Sequence, residues 1–164
     1  VFASEVLFQL NGFITEANDH EFSVFTPIRV GKKYGASIYS SIRQYVSKNS
    51  KPCTVIVLDP PVPTANFGFT AQLRRNISSP SFQEYFGELQ LPNQFTPDDK
   101  IGAMIPIGKR KASGKREISL VDKNGIEHEC IAEAFTQGYQ VFILILNIKA
   151  QTSKTIIVPI AYGT

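Results

Sequence analysis

The chain has 164 residues, of which 43% are hydrophobic and 19% are charged, a balance that excludes the disordered and membrane-embedded classes. This length fits one globular domain over residues 1–164. The longest apolar run, at 141–146, is far too short to cross a bilayer, so no membrane partner is expected. The formal net charge is +3, from 17 basic and 14 acidic residues.

The first 78 residues mix strand and helix patterns. Residues 4–15 are expected to form a strand or a tight strand pair, and the alternation of 21–26 predicts a half-buried strand. The continuous apolar run 53–58 predicts a strand that is buried on both faces and ends at the prolines after it. A further alternation at 66–73 predicts another strand that leads directly into two arginines.

Two helices are predicted in this first half. Apolar residues recur at spacings of three and four between Tyr34 and Val46, which indicates one buried helical face. A second, short helix is expected after residue 79. Either Ser79 caps it with Pro80 at the first helical position, or Ser81 caps it together with Glu84.

The second half reads as strands separated by turns. The turn 122–125, Asp-Lys-Asn-Gly, is a strong hairpin signal, and Pro159 predicts that the last strand lies at a sheet edge. The predicted strands are 101–107, 116–122, 126–135, 139–149 and 155–161. The predicted fold class is therefore α+β, with an antiparallel meander of about five strands joined to a mixed N-terminal half with two helices.

One short stretch, residues 108–117, holds a concentration of positive charge, here called the basic run. Its five cations are Lys109, Arg110, Lys111, Lys115 and Arg116. Without them the chain has 12 basic and 14 acidic residues, a net charge of −2, so the basicity is local. The predicted meander places this run at a hairpin tip. Such a tip can neutralise phosphates of a polyanion; a solvated loop and a nuclear localisation signal are the alternatives.

Aromatic and basic residues also follow each other in the strand 66–73. Phe67 and Phe69 share one face, and Arg74 and Arg75 come directly after them. Bases of a single strand could stack on these rings while the arginines contact phosphate. The alternative is that both phenylalanines belong to the core, as aromatic residues that alternate along a strand usually do.

The residues that could carry catalysis or bind metal show no motif. Cys53 and Cys130 lie in strand-like segments and read as core residues in a reducing compartment, although one disulfide between them is compatible with the sequence. His128 and Cys130 would share a strand face, but a zinc site needs further ligands from distant segments. No catalytic residue, metal or cofactor is predicted. An enzyme built from the scattered Asp59, Asp98, Asp99 and Asp122 remains a third hypothesis.

These patterns favour a non-catalytic module that binds the phosphate backbone of DNA or RNA, with single strands as the suggested form. Its contacts would be the basic run, Arg74 and Arg75, and the rings of Phe67 or Phe69. The alternative is a structural protein of a viral or other multi-subunit assembly, which would pair through the apolar strand 155–161 and use the basic run between subunits. The N-terminus lacks the pattern of a signal peptide, which favours an intracellular location, cytoplasmic or nuclear, and a viral protein would fit as well.

Overall fold

A computed structural model describes residues 12–148 and shows an α+β fold in that part of the chain. The helices are α1 (Gly12–Asn18), α2 (Phe25–Lys33), α3 (Ile38–Ser47) and α4 (Pro80–Phe86), with a 3₁₀ turn at Gly102–Met104. The strands are β1 (Cys53–Leu58), β2 (Val62–Thr64), β3 (Gly68–Ser78), β4 (Gln94–Phe95), β5 (Ala112–Val121), β6 (Glu127–Thr136) and β7 (Val141–Asn147).

The strands form one seven-stranded sheet in which every pairing is antiparallel. Its main order is β2-β3-β1-β7-β6-β5, and β4 also pairs with β3. The first strand, β1, therefore lies in the middle between β3 and β7, and β5 pairs with β6 alone. The basic run overlaps the start of β5, so it lies at an edge of the sheet.

Both faces of the sheet are covered, which explains why every residue of β1 is buried. On one face, Cys53, Val55 and Val57 pack in a core cluster with Phe13 of α1 and Tyr45 of α3. On the other face, Ile56 and Leu58 pack in a second cluster with residues of α4 and of the segment 89–105. The predicted strand buried on both faces is confirmed, and it ends at Leu58 before the prolines.

Local sequence determines where α3 and α4 begin. Ser37 caps α3, where its Oγ accepts a hydrogen bond from the backbone N–H of Ser40. Ser79 caps α4 in the same way through Phe82, and Pro80 takes the first helical position, where a missing N–H has no cost. Of the two caps considered for the second helix, the structure uses Ser79.

The predicted strand at 21–26 is wrong, because α2 begins inside it at Phe25. A buried carboxylate explains the difference: Oε1 of Glu133 on β6 accepts hydrogen bonds from Ser23 Oγ and from the Val24 N–H, both at 2.9 Å. The helix also places the Phe25 ring at 5.7 Å from that of Phe135. This packing between distant segments outweighs the local alternation.

The other corrections concern the predicted strand 4–15 and the ends of the predicted meander. Residues 12–15 belong to α1, whose buried Phe13 and Ala17 are one helical turn apart, and the rest of the predicted strand 4–15 lies outside the described residues. Residues 101–107 contain the 3₁₀ turn instead of a strand. The segment 155–161 is outside the described residues as well. The C-terminal half thus contributes three long strands, and the first half has three helices before β1, so the five-strand meander with two helices is wrong in detail.

Candidate functional site

Three connecting segments meet at one end of the sheet, here called the loop end: residues 59–67 after β1, 105–111 before β5, and 137–140 between β6 and β7. The strand register places them together, because Leu58 lies opposite Val141, and Val141 lies opposite Thr136. The Thr136 N–H donates to the Lys111 carbonyl at 2.8 Å, which fixes the segment before β5 against the end of β6.

A groove of about 330 Å³ opens at the loop end. It is lined by all three segments and by the start of β3, and its walls include Pro61, Phe69, Pro106, Arg110 and Gly138. The lining is mostly apolar, with the Arg110 guanidinium as its one charged side chain. A mostly apolar concavity with few polar groups is typical of a ligand site, and this volume is near the lower limit of about 300–1,000 Å³ for small-molecule sites.

Arg110 of the basic run lines this groove, and its chain neighbours Lys109 and Lys111 belong to the same loop. Lys109, Arg110 and Lys111 are exposed, and none of them has an ion pair or a side-chain hydrogen bond within residues 12–148. They lie in a loop before an edge strand. The predicted hairpin tip is wrong, because residues 101–107 do not form the strand that such a hairpin needs. The loop turns at Gly108, whose φ of 68° favours glycine.

The remaining two cations of the run belong to β5. A β-bulge interrupts the β5–β6 pairing between Ser113 and Arg116. Within it, Lys115 Nζ lies 2.6 Å from Glu21 Oε1 and also donates to the Phe22 carbonyl at 3.4 Å. The hydrogen bond and the charge of Lys115 lower the pKa of Glu21 below its ordinary value. Arg116 is exposed and has no ion pair among the described residues, so four of the five cations are available to a ligand.

Arg74 and Arg75 lie in β3, toward the edge of the sheet opposite to β5 and the basic run. Arg74 occupies a bulge of β3, and its guanidinium pairs with Asp59 at 3.1 Å. Arg75 is exposed and pairs with Val57 of β1. From Val57, successive pairs in β7 and β6 lead to Ala112 at the start of β5, so Arg75 and Ala112 lie in one row across the sheet. That row spans four strand spacings, about 19 Å. The structure therefore does not bring these arginines next to Lys109, Arg110 and Lys111.

The two predicted stacking residues have different surroundings. Phe69 lies in β3, packs against the core cluster next to α4, and lines the groove. Phe67 precedes β3, is 49% exposed, and has its backbone N–H bound to Thr64 Oγ1 at 3.3 Å. The two rings do not form one exposed face, because Phe69 is partly buried and only Phe67 of the two is about half exposed.

The loop end also exposes residues that the sequence analysis did not select. Tyr139, in the turn between β6 and β7, is 79% exposed, and Ile107 and Val62 are about half exposed or more. Together with Phe67, these account for four of the seven large hydrophobic side chains exposed in the described part of the chain. An apolar residue directly after Gly138 in a short turn is a signal that could have pointed to Tyr139.

Among the described residues, both cysteines are buried, and three of the four aspartates considered above have hydrogen-bond or ion-pair partners. Cys53 and Cys130 are free thiols buried in the two different core clusters, and burial raises their pKa values to about 12 and about 11. Within residues 12–148 no three His, Cys, Asp or Glu side chains come together as metal ligands. Asp59 pairs with Arg74, Asp99 accepts from the Thr96 N–H, and Asp122 contacts His128.

Comparisons with known proteins add no functional information. A scan against protein-family models found no match for this chain, and a search of curated proteins found no sequence match either. No helix between residues 12 and 148 is both long enough and apolar enough to cross a membrane.

Proposed function

We propose that this protein binds nucleic acid without catalysis, by contacting the phosphate backbone at the loop end. The supporting observation is that Lys109, Arg110 and Lys111 are exposed and have no acidic partner among the described residues, and that Arg110 lines the groove. Three adjacent cations repel one another, and phosphates that they neutralise release condensed counterions, which provides the free energy of binding.

The charges around the loop end support the same function. Asp59 is neutralised by Arg74, and Glu21 by Lys115. Glu133 is buried and binds Ser23 and the Val24 backbone. These three carboxylates are therefore unavailable to Lys109, Arg110 and Lys111, and the positive potential of the loop is not cancelled locally.

Salt dependence tests the proposal. The binding constant of a labelled oligonucleotide is measured by fluorescence anisotropy between 50 and 300 mM salt. Its logarithm should decrease linearly with the logarithm of the salt concentration. Three phosphate contacts predict a slope of about −2 on a single strand and about −3 on a duplex. Binding that is absent, or that does not change with salt, would exclude a function based on phosphate contacts.

A role in assembly is the second candidate, and an apolar surface at the opposite end of the sheet supports it. Val121 and Ile126 flank the β5–β6 turn and are 58% and 57% exposed. A groove of about 570 Å³ lies between this turn and residues 86–91. The free edge of β5 is a poorer candidate, because a bulge and charged side chains protect edges from pairing. Light scattering of the protein and of Val121→Lys tests this role: an oligomer that dissociates in the variant supports it, and a monomer at high concentration contradicts it.

A further inference from the structure

We infer that the loop end selects single-stranded nucleic acid, because it presents two rings on which unpaired bases can stack, Tyr139 and Phe67. This inference rests on the proposed function and specifies its ligand. Stacking requires an open ring face on the protein and an accessible base face on the ligand. A duplex offers its base faces only at its ends, so rings that contribute to binding favour single strands.

Hydrogen bonds fix the backbone on which Tyr139 is presented. The turn that carries it is fixed by Thr136, whose Oγ1 donates to the Gln140 carbonyl at 2.7 Å and accepts from the Gly138 N–H at 3.1 Å. The Gln140 N–H also donates to Gln137 Oε1 at 3.2 Å. The Tyr139 ring itself is 79% exposed and contacts no other ring in the described residues. A fixed turn with an open ring loses little conformational entropy when a base stacks on it.

The two aromatic residues are chain neighbours of residues that line the groove with Arg110. Gly138 and Gly68 line this groove, and they directly precede Tyr139 and directly follow Phe67. Tyr139 and Phe67 thus lie at the loop end, in the β6–β7 turn and at the start of β3, and Lys109 and Lys111 flank Arg110 in the chain. One site therefore combines ring faces with cations, which are the two components of single-strand binding proteins.

A polar ligand explains why these rings are exposed. An aromatic side chain at 79% exposure adds almost nothing to the core, and no hydrogen bond to another described residue accounts for the position of the Tyr139 side chain. An apolar protein partner would fit the rings and the prolines, but it would leave three adjacent cations desolvated without a counter-charge. A nucleotide strand satisfies both parts of the surface.

The test compares Tyr139→Leu, which removes the ring, with Tyr139→Phe, which keeps it. The probes are a labelled oligothymidine and a DNA hairpin of equal phosphate number whose loop is a non-nucleotide linker. Tyr139→Leu should weaken oligothymidine binding about 5- to 150-fold and leave hairpin binding unchanged, since one stacked base is lost. Tyr139→Phe should bind both probes as the wild type does. Tyr85→Leu, a change of an exposed tyrosine in α4 at the other end of the sheet, is the matched control.

Tyrosine emission provides a second measurement, because the chain has no tryptophan to mask it. Oligothymidine should quench part of the wild-type emission, and that part should be missing in Tyr139→Phe although its affinity is retained. An unchanged affinity of Tyr139→Leu, or equal binding of the hairpin and the single strand, would overturn the inference while a salt-dependent affinity still supported phosphate binding. Absence of any salt-dependent binding would overturn both.

Discussion

Lys115 Nζ lies 2.6 Å from Oε1 of Glu21, and this pair ties the edge strand β5 to the segment that leads into α2. Lys115 therefore stabilises contacts within the protein, whereas the other four cations of the basic run are available to a ligand. We expect Glu21→Gln to raise the affinity for a labelled oligonucleotide and to steepen its salt dependence, because the released ammonium group gains access to phosphate.

Glu84→Gln is the matched control for this prediction, since it removes the same charge from an exposed position in α4. The oligonucleotide affinities of the two variants are measured by fluorescence anisotropy at the same salt concentration. Their comparison distinguishes the effect of freeing Lys115 from the effect of a changed net charge. Equal affinities would show that Lys115 does not contact the nucleic acid even when it is free.

Replacing Glu133 by Ala should lower the free energy of unfolding by about 1–3 kcal/mol, because the Val24 N–H and Ser23 Oγ then lose their buried acceptor. Glu129→Ala, four residues before it on the same strand face but exposed, should change stability by less than about 0.5 kcal/mol. Urea denaturation of both variants measures the difference, and similar losses would contradict a specific role of Glu133 in anchoring the start of α2.

The β5–β6 turn should lose stability in acid. Asp122 Oδ2 lies 2.7 Å from His128 Nε2, and Oδ1 accepts from the N–H groups of Asn124 and Ile126. The hydrogen bond from His128, together with these backbone hydrogen bonds, lowers the pKa of Asp122 below its ordinary 3.8. A lowered pKa in the folded state means that the ionised carboxylate stabilises the fold above pH 3.8, and that this contribution is lost as the pH falls below that value.

Asp122→Asn should therefore reduce the free energy of unfolding at pH 6, and its difference from the wild type should shrink as the pH falls below 3.8. Denaturant titrations from pH 6 to pH 3 measure this difference, with the exposed Asp98→Asn as control. A difference that stays constant over this range would show that the charge of Asp122 contributes nothing.

Gly102→Ala should destabilise the protein by about 1–3 kcal/mol, the usual cost of overpacking. A Cβ at this position would overlap the backbone carbonyl of Thr96, which cannot move away as a flexible side chain could. Gly114→Ala in the basic run meets nothing within 4 Å and should be tolerated. Thermal denaturation compares the two, and equal melting temperatures would contradict the close packing of the 3₁₀ turn against Thr96.

The elements that local sequence determines were predicted, and those that depend on distant contacts were not. The apolar run of β1 and the Ser79-Pro80 start of α4 act within a few residues, so the strand was predicted and this start was one of the two considered for the helix. The start of α2 depends on Glu133, which is 109 residues from Val24 in the chain, and no local pattern contains that contact.

The sequence indicated the charged part of the candidate site and Phe67, but not the groove or Tyr139. The concentration of cations at 109–111 is visible in the sequence, and those cations remain exposed in the structure. The groove and the position of Tyr139 depend on how the ends of five strands meet, which the alternation within each strand does not specify. The separation of Arg75 from the basic run depends on strand order, and strand order follows from packing of the whole sheet.

Binding of a labelled single-stranded oligonucleotide by two triple variants of equal charge tests the central claim most directly. One variant replaces Lys109, Arg110 and Lys111 by Gln, and the other replaces the exposed Lys48, Lys100 and Lys123 in the same way. Both lower the net charge from +3 to 0. The account predicts that only the first variant loses most of its affinity and about two units of salt slope; equal losses in both variants, or none in the first, would contradict it.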